Sequence, residues 1–226
     1  MTTPLWHDAF GELSLDRPAD GVRVFQPRRG YRWGGEVYAL VAWTLGRDQA
    51  SPPPPPETAI ELGSGSGVIA LLLASLGVRV WGVERDANWV ALARASAARC
   101  DCSVADRVHF VHGDVRGLAK HGHIAGLPAR VDVVVANPPW FVPTAGPISP
   151  NASRAAARTM LAGNVADFLR AGQQLAPRVC LVTREERLTE MVTAGVVFSR
   201  QVPLGGRVAL AEWVHETAAP VRGRIG

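Results

Sequence analysis

The sequence predicts an α/β fold on a mostly parallel sheet, and three observations carry that prediction. Short apolar runs of strand length alternate with longer stretches of helix length through the middle of the chain. A glycine-rich turn, Gly63-Ser64-Gly65-Ser66-Gly67, joins one such run to the apolar stretch behind it. Three later runs lead into residues able to bind or react, Glu84, Asp114 and Asn137. Repeated strand and helix units imply parallel strands with right-handed crossovers, and the carboxyl ends of such strands are where ligands bind.

In chain order, an arm with room for a short hairpin runs through Arg32, and a helix over 36–45 follows. Pro52 to Pro56 cannot be helical and read as a stiff connector, not a domain boundary. The strand over 58–62 enters the glycine turn, and its helix covers 68–76. A second strand over 78–84 precedes a helix over 88–98, a third strand covers 108–111 and a fourth 131–136. Residues 143–151 read as a flexible substrate-facing segment, and 153–175 as a helix broken near Gly163. A fifth strand over 178–183 and a short helix over 188–194 come next. Segments 196–202 and 207–215 flank Pro203-Leu204-Gly205-Gly206, which is hairpin punctuation. The tail from Pro220 reads as frayed. The whole reads as one domain, with an arm over 1–35 and a body over 36–226.

At 226 residues the chain can bury a sizeable core. No apolar run approaches the roughly 18 residues a membrane span needs, and Met1-Thr2-Thr3-Pro4 lacks a basic-then-apolar leader, so the expectation is a cytoplasmic protein. Cys100, Cys102 and Cys180 are an odd set without paired spacing and read as free thiols. His121 and His123 have no companions at metal-ligand spacing and read as loop residues, so no metal is expected.

Asn137-Pro138-Pro139-Trp140, placed after a buried-looking strand, suits chemistry on a planar nitrogen, whose lone pair is delocalised and must be aimed. The Asn137 side-chain oxygen and the Pro138 carbonyl can each accept one N–H of such a group, Pro138 and Pro139 stiffen the loop, and Trp140 can stack on the target. Alone, the same tetrapeptide also reads as a turn. The glycine turn opens a helix and lets backbone approach a ligand, but its Gly-x-Gly-x-Gly spacing, with Val68 in place of a final glycine, departs from the dinucleotide fingerprint. Glu84 stands about 20 residues beyond that turn, where a ribose-binding acid belongs. Glu84 or Asp86 can equally stabilise the first turn of the next helix. Asp114 can take an adenine amino group or cap a helix.

Together these features resemble the class I S-adenosylmethionine-dependent methyltransferases, in their Asn-Pro-Pro-aromatic, amino-methylating branch. The resemblance covers about 25–182 and implies a Rossmann-like, mostly parallel seven-stranded sheet with helices on both faces and an antiparallel C-terminal strand. It implies S-adenosyl-L-methionine as cofactor. Gly63, Gly65 and Gly67 would line its methionine and ribose portion, with Glu61 near its amino group, Glu84 on the ribose and Asp114 on the adenine. Ser64, Arg85, Val115 and Asn137 join the cofactor set, and Asn137 to Trp140 would meet the acceptor. Phe25-Gln26-Pro27-Arg28-Arg29-Gly30-Tyr31-Arg32-Trp33 looks like the Gln-Pro-x-x-Gly-Tyr-Arg-aromatic segment of proteins similar to bacterial tRNA adenine-N6 methyltransferases. There the segment closes over the cofactor, which assigns Gln26, Tyr31 and Arg32 to the same site. Glu36 stands where Asp is common, Trp140 where Tyr or Phe is usual, and Ala157-Arg158 resembles a step of that group, followed here by Thr159-Met160.

The formal net charge is +4, and Arg23, Arg28, Arg29 and Arg32 are interleaved with Tyr31 and Trp33, while Arg222 and Arg224 sit in the tail. Such a mixture suits looped or structured RNA, in which the target base is flipped out, although arginines also simply solvate a surface. The leading expectation is adenine-N6 methylation in tRNA or rRNA. Protein glutamine-N5, guanine-N2 and small-molecule N-methylation are the enzymatic alternatives, and a non-catalytic docking module is the alternative of another class. Oligomeric state, monomer or homodimer, is not legible.

Overall fold

The structure, a computed structural model, describes residues 9–29, 32–50, 52–138 and 165–215. Its strands are β1 (Leu13–Asp16), β2 (Val24–Pro27), β3 (Thr58–Leu62), β4 (Arg79–Glu84), β5 (Val108–His112), β6 (Val133–Ala136), β7 (Arg178–Arg184), β8 (Arg200–Gly205) and β9 (Val208–Val214). Its helices are α1 (Gly35–Thr44), α2 (Val68–Ser75), α3 (Ala87–Ala97), α4 (Cys102–Ala105), α5 (Val115–His121), α6 (Val165–Leu175) and α7 (Glu185–Thr193). The main sheet has seven strands in the order β5-β4-β3-β6-β7-β9-β8. The five from β5 to β7 are parallel, β9 runs antiparallel to β7, and β8 antiparallel to β9. From β3 the chain moves outward to β4 and β5, then returns to the other side of β3 as β6. That reversal opens a crevice at the carboxyl ends of β3 and β6.

Period-two alternation divides the central strands between two cores. Ala59, Val80, Val133, Val135, Cys180 and Val182 face α1, α2 and α3. Ile60, Leu62, Val134, Ala136, Val179 and Leu181 face α5, α6 and α7. Burial on both faces explains why β6 is a run of β-branched residues without polar interruption. α2 is apolar on every side because it is wedged between the sheet, α1 and α4, and all its residues from Val68 to Ala74 are buried.

The direction of α1 is fixed at its end. Arg178, the first residue of β7, donates to the carbonyls of Thr44 at 2.7 Å and Trp43 at 3.1 Å in the last turn, the latter also accepting Gly46 N–H at 3.0 Å. Arg178 is ion-paired with Glu212, which also meets Arg200 at 3.3 Å, and Arg200 reaches Asp48 and covers the Trp43 ring at 3.9 Å. The carboxyl end of α1 therefore lies at the amino edge of the sheet. Ten helical residues rise about 15 Å, which carries Gly35 toward the opposite, carboxyl edge.

The hairpin expected in the arm is β1 with β2, paired from Leu13↔Pro27 to Asp16↔Val24. It packs on α3, where Phe25 N–H donates to Ser96 Oγ at 2.9 Å and the Phe10 and Trp89 rings lie 4.4 Å apart. The helix over 115–121 and the short one over 102–105 are additions to the sequence reading. His121 is the last residue of α5, not a loop residue, and Gly122 behind it adopts the left-handed cap conformation. The strand expected over 196–202 begins only at Arg200. Val196 N–H instead closes α7 on the Met191 carbonyl at 3.0 Å, and Phe198 turns into the core. Residues 143–151, the part before Val165 of the helix expected over 153–175, with Ala157-Arg158 and Gly163, and the tail arginines lie outside the described residues.

Candidate active site

The glycine loop between β3 and α2 is a compact backbone structure. Gly63 and Ser64 both donate to the Val83 carbonyl, at 2.8 and 3.0 Å, and Gly67 N–H returns to Ser64 O at 2.7 Å. Gly63, Gly65 and Gly67 have φ of +73°, +50° and +81°, in the left-handed region open to glycine. A Cβ on Gly67 would lie 2.4 Å from the Phe110 ring, whereas one on Gly65 would meet nothing within 4 Å. Two different needs thus act on one loop: close packing below at Gly67, and open space above at Gly65.

Three carboxylates surround this loop in unlike ways. Glu61, on β3 and 2% exposed, accepts the Ala70 N–H at 2.9 Å, so a buried acid caps α2 from the neighbouring strand. Burial pushes its pKa well above the ordinary carboxylate value, against the pull of that hydrogen bond, and the charge of Glu84 adds to the rise. Glu84, the last residue of β4, accepts from Gly65 N–H at 3.0 Å with one oxygen and from Arg85 and Asp86 N–H at 2.8 and 3.1 Å with the other. Its pKa is raised too, by burial first, with those bonds opposing. Asp86 is the residue that caps α3, accepting Asn88 N–H at 2.8 Å. Of the two readings open for Glu84 and Asp86, capping belongs to Asp86, while Glu84 ties strand end to loop. Three bonds also leave part of the roughly four lone-pair sites of the Glu84 carboxylate for hydroxyl donors.

Asp114 caps α5 through Arg116 N–H at 2.8 Å and pairs with the Arg116 guanidinium at 2.7 Å. The side-chain bond from Arg116 holds its pKa below the ordinary value. Between the ends of β4 and β5 lies an open depression of about 670 Å³ lined by Arg85, Asp86, Ala87, His112, Gly113 and Asp114. His112 Nε2 lies 2.8 Å from the Arg85 carbonyl and bridges the two strand ends. Val115, in the first turn of α5, is buried and faces the core.

Asn137 and Pro138 follow β6 directly. Ala136 is in register with Leu62 of β3, so Asn137 and Gly63 are the next residues on adjacent parallel strands, which run about 4.8 Å apart. Asn137 is half-buried and Pro138 buried. The loop expected to hold an acceptor nitrogen and the loop expected to hold a methyl donor therefore stand side by side. Pro139, Trp140 and Tyr31 lie outside the described residues.

Comparison with known proteins bears on the family and the fold. A family described as RNA cap guanine-N2 methyltransferase matches residues 57–144, from β3 past Asn137. Two tRNA1(Val) (adenine(37)-N6)-methyltransferases of Porphyromonas gingivalis, from strains W83 and ATCC 33277, are 30% and 32% identical over 188 residues, covering 81% of this chain and 67% of each relative. The chain belongs to their family. It is an S-adenosylmethionine-dependent methyltransferase. Its fold matches that of an RNA methyltransferase from Salinibacter ruber in complex with S-adenosyl-L-homocysteine, with a TM-score of 0.50 and 20% identity over 84% of this chain and 97% of that one.

The residues of the methyltransferase fit the cofactor. Ser64 Oγ is buried without a hydrogen-bond partner, and buried polar atoms are seldom left so. Gly65 presents open space, and Glu61 and Glu84 offer acids on either side of the loop for an ammonium and for hydroxyls. Gln26 and Arg32 stand together in the arm, both bonded to Asp16. Residues the sequence reading missed are the floor and rim. Phe110 and Phe168 pack under the glycines, Gly82 in mid-strand gives the Phe110 ring room, and His112 lines the depression. Gly82 had a legible signal, since a glycine inside a strand marks close approach by a neighbour. No helix among the described residues is long and apolar enough to cross a membrane.

Proposed function

We propose that this methyltransferase transfers a methyl group to the N6 amine of an adenine in structured RNA, with tRNA the favoured substrate, as a cytoplasmic enzyme. The observation that carries the reading is the register of β3 and β6, which sets Asn137 beside Gly63. Family membership alongside adenine-N6 methyltransferases supports the choice of acceptor. The cofactor supplies an electrophilic methyl on a sulfonium, which leaves as a thioether when the new N–C bond forms. What the chain contributes is position: the Asn137 side-chain oxygen and the Pro138 carbonyl accept the two N–H groups of the amine and localise its lone pair on nitrogen, out of conjugation with the ring. No strong base is needed, because the nitrogen sheds a proton to water once it is alkylated.

One finding favours a second reading. The family match over residues 57–144 is described by guanine N2, and that exocyclic amine presents the same two N–H groups. Transfer of labelled methyl from S-adenosylmethionine to fractionated tRNA, rRNA and protein, followed by nucleoside analysis, separates the two. N6-methyladenosine in tRNA is the expected product. N2-methylguanosine would replace the acceptor, and label in protein would replace its class. Asn137→Ala is expected to lower turnover by roughly 100-fold or more while binding S-adenosylhomocysteine within about twofold of wild type. Full activity in that variant would remove the mechanism.

A further inference from the structure

β7 runs through the core as Val179-Cys180-Leu181-Val182-Thr183, all of them buried, and Thr183 carries the only hydroxyl of that run. Its side chain is fully covered, yet Thr183 Oγ1 has no hydrogen-bond partner. Among the described residues the other buried hydroxyl in this condition is Ser64 Oγ, which belongs to the glycine loop. A buried polar atom left unpaired costs free energy, and valine would fill nearly the same volume without that cost. The hydroxyl of Thr183 thus weakens the fold as it stands and asks for a partner in another state of the site.

Sheet register places Thr183 against the acceptor loop. Ala136 of β6 is in register with Leu181 of β7. Two residues further on, Pro138 comes opposite Thr183, on strands that run about 4.8 Å apart. Both positions fall on one face of the sheet: Ala136, Leu181 and Ala209, the antiparallel partner of Thr183, belong to the core under α5, α6 and α7, and residues two apart on a strand share a face. Pro138 has no N–H, so its carbonyl is the one polar group it offers, and that oxygen has two lone pairs. The acceptor amine uses one of them. Because Thr183 and Pro138 are both buried, the hydroxyl acts on the loop and not on the substrate. We propose that Thr183 is a positioning residue for methyl transfer: when the acceptor enters, its hydroxyl donates to the second lone pair of the Pro138 carbonyl and holds that carbonyl aimed at the amine. The proposal rests on the Asn137–Pro138 loop being the acceptor loop. Its physical basis is that a hydrogen-bond acceptor fixed in direction aligns the reacting nitrogen at less entropic cost.

The test is transfer of labelled methyl to whichever tRNA, rRNA or protein fraction the wild type labels, by Thr183→Val, Thr183→Ser and Thr183→Ala, with urea denaturation and S-adenosylhomocysteine calorimetry alongside. Thr183→Val is expected to lower kcat about tenfold. Its S-adenosylhomocysteine affinity should stay within about twofold of wild type, and its urea midpoint should equal or exceed that of wild type, because an unpaired buried hydroxyl is gone. Thr183→Ser keeps the hydroxyl and should hold kcat within about threefold, although the lost methyl lowers its urea midpoint. A purely structural role would move stability and leave kcat alone. Wild-type kcat in Thr183→Val overturns the proposal, and so does an equal loss of kcat in Thr183→Ser, which would trace the effect to packing. Should Thr183→Val fail to fold, equal kcat in Thr183→Ser and Thr183→Ala, which differ only in the hydroxyl, overturns it as well. Label on guanine N2 or on protein replaces the acceptor and leaves this comparison standing, whereas a wild type that labels no fraction removes the acceptor loop and the proposal together.

Discussion

The two edges of the sheet handle charge in opposite ways. At the amino edge, charged side chains satisfy one another and the neighbouring backbone. Arg178, Glu212, Arg200 and Asp48 form a linked set that caps α1, and Asp132 Oδ2 accepts from Glu57 N–H, Thr58 N–H and Thr58 Oγ1 at 3.0, 2.8 and 2.8 Å. At the carboxyl edge, Glu61 and Glu84 are bonded by backbone N–H groups alone and are held above their ordinary pKa. The first edge is electrostatically closed and serves the fold. The second keeps Glu61 and Glu84 out of any ion pair among the described residues, although Asp114 beyond them pairs with Arg116, and this costs stability and leaves the two glutamates able to take a cationic or hydroxyl-bearing ligand.

This contrast breaks most decisively at Arg178. Arg178→Ala would leave Glu212 buried without its main partner and uncap α1, an expected loss of about 3–5 kcal/mol, readable by urea denaturation. S-Adenosylhomocysteine affinity, referred to the folded fraction, should stay within about twofold of wild type. A large loss of affinity at preserved stability would show that the two edges are not independent.

Gly67→Ala ranks next. The left-handed φ and the contact with Phe110 together should cost about 2–3 kcal/mol and weaken cofactor binding, whereas Gly65→Ala should fold with a cost of about 1–2 kcal/mol and fail mainly in binding. Equal effects at both glycines would erase the distinction between packing below the loop and open space above it.

Glu61→Gln sharpens the comparison through pH. A buried acid whose folded pKa is raised binds its proton more tightly folded than unfolded, so its contribution is fully present at low pH. That contribution is lost as pH rises from the unfolded value, about 4.3, through the raised folded one. Glutamine keeps an acceptor for Ala70 N–H and never ionises. The variant should therefore gain about 1 kcal/mol at pH 8 relative to wild type, gain less at pH 5, and bind the cofactor about tenfold more weakly. A melting temperature lower than wild type at pH 8 would mean that the ionised acid is compensated.

The smallest effect is expected at Arg116→Ala. Its pair with Asp114 is solvent-exposed, so stability should change by at most about 0.5 kcal/mol. The same change frees Asp114 toward the depression, and S-adenosylhomocysteine binding should tighten about twofold; weaker binding would instead give Arg116 a direct part in the site.

Much of this was legible along the chain. The alternation of strands and helices, the hairpin of the arm and the antiparallel C-terminal strands follow from local pattern, and the structure places them within a few residues of expectation. The glycine loop and the Asn137 loop were legible for a related reason, since each is a contiguous stretch at a strand end. Val196 to Ser199 were misread because a valine-rich run looks like strand wherever it occurs, and only the bond from Val196 to Met191 reveals that the helix before it is still closing.

What the sequence by itself determined, then, is the order of elements and which residues stand at each strand end. Those depend on neighbours one to four residues away, through side-chain period, turn residues and caps. Tertiary structure decided the rest. It chose Asp86 over Glu84 as the cap of α3, joined Asp16 to residues 10 and 16 positions on, and tied Arg178 to a carbonyl 134 residues before it. Such pairings arise from sheet order and register, which bring distant positions together and which no local preference encodes.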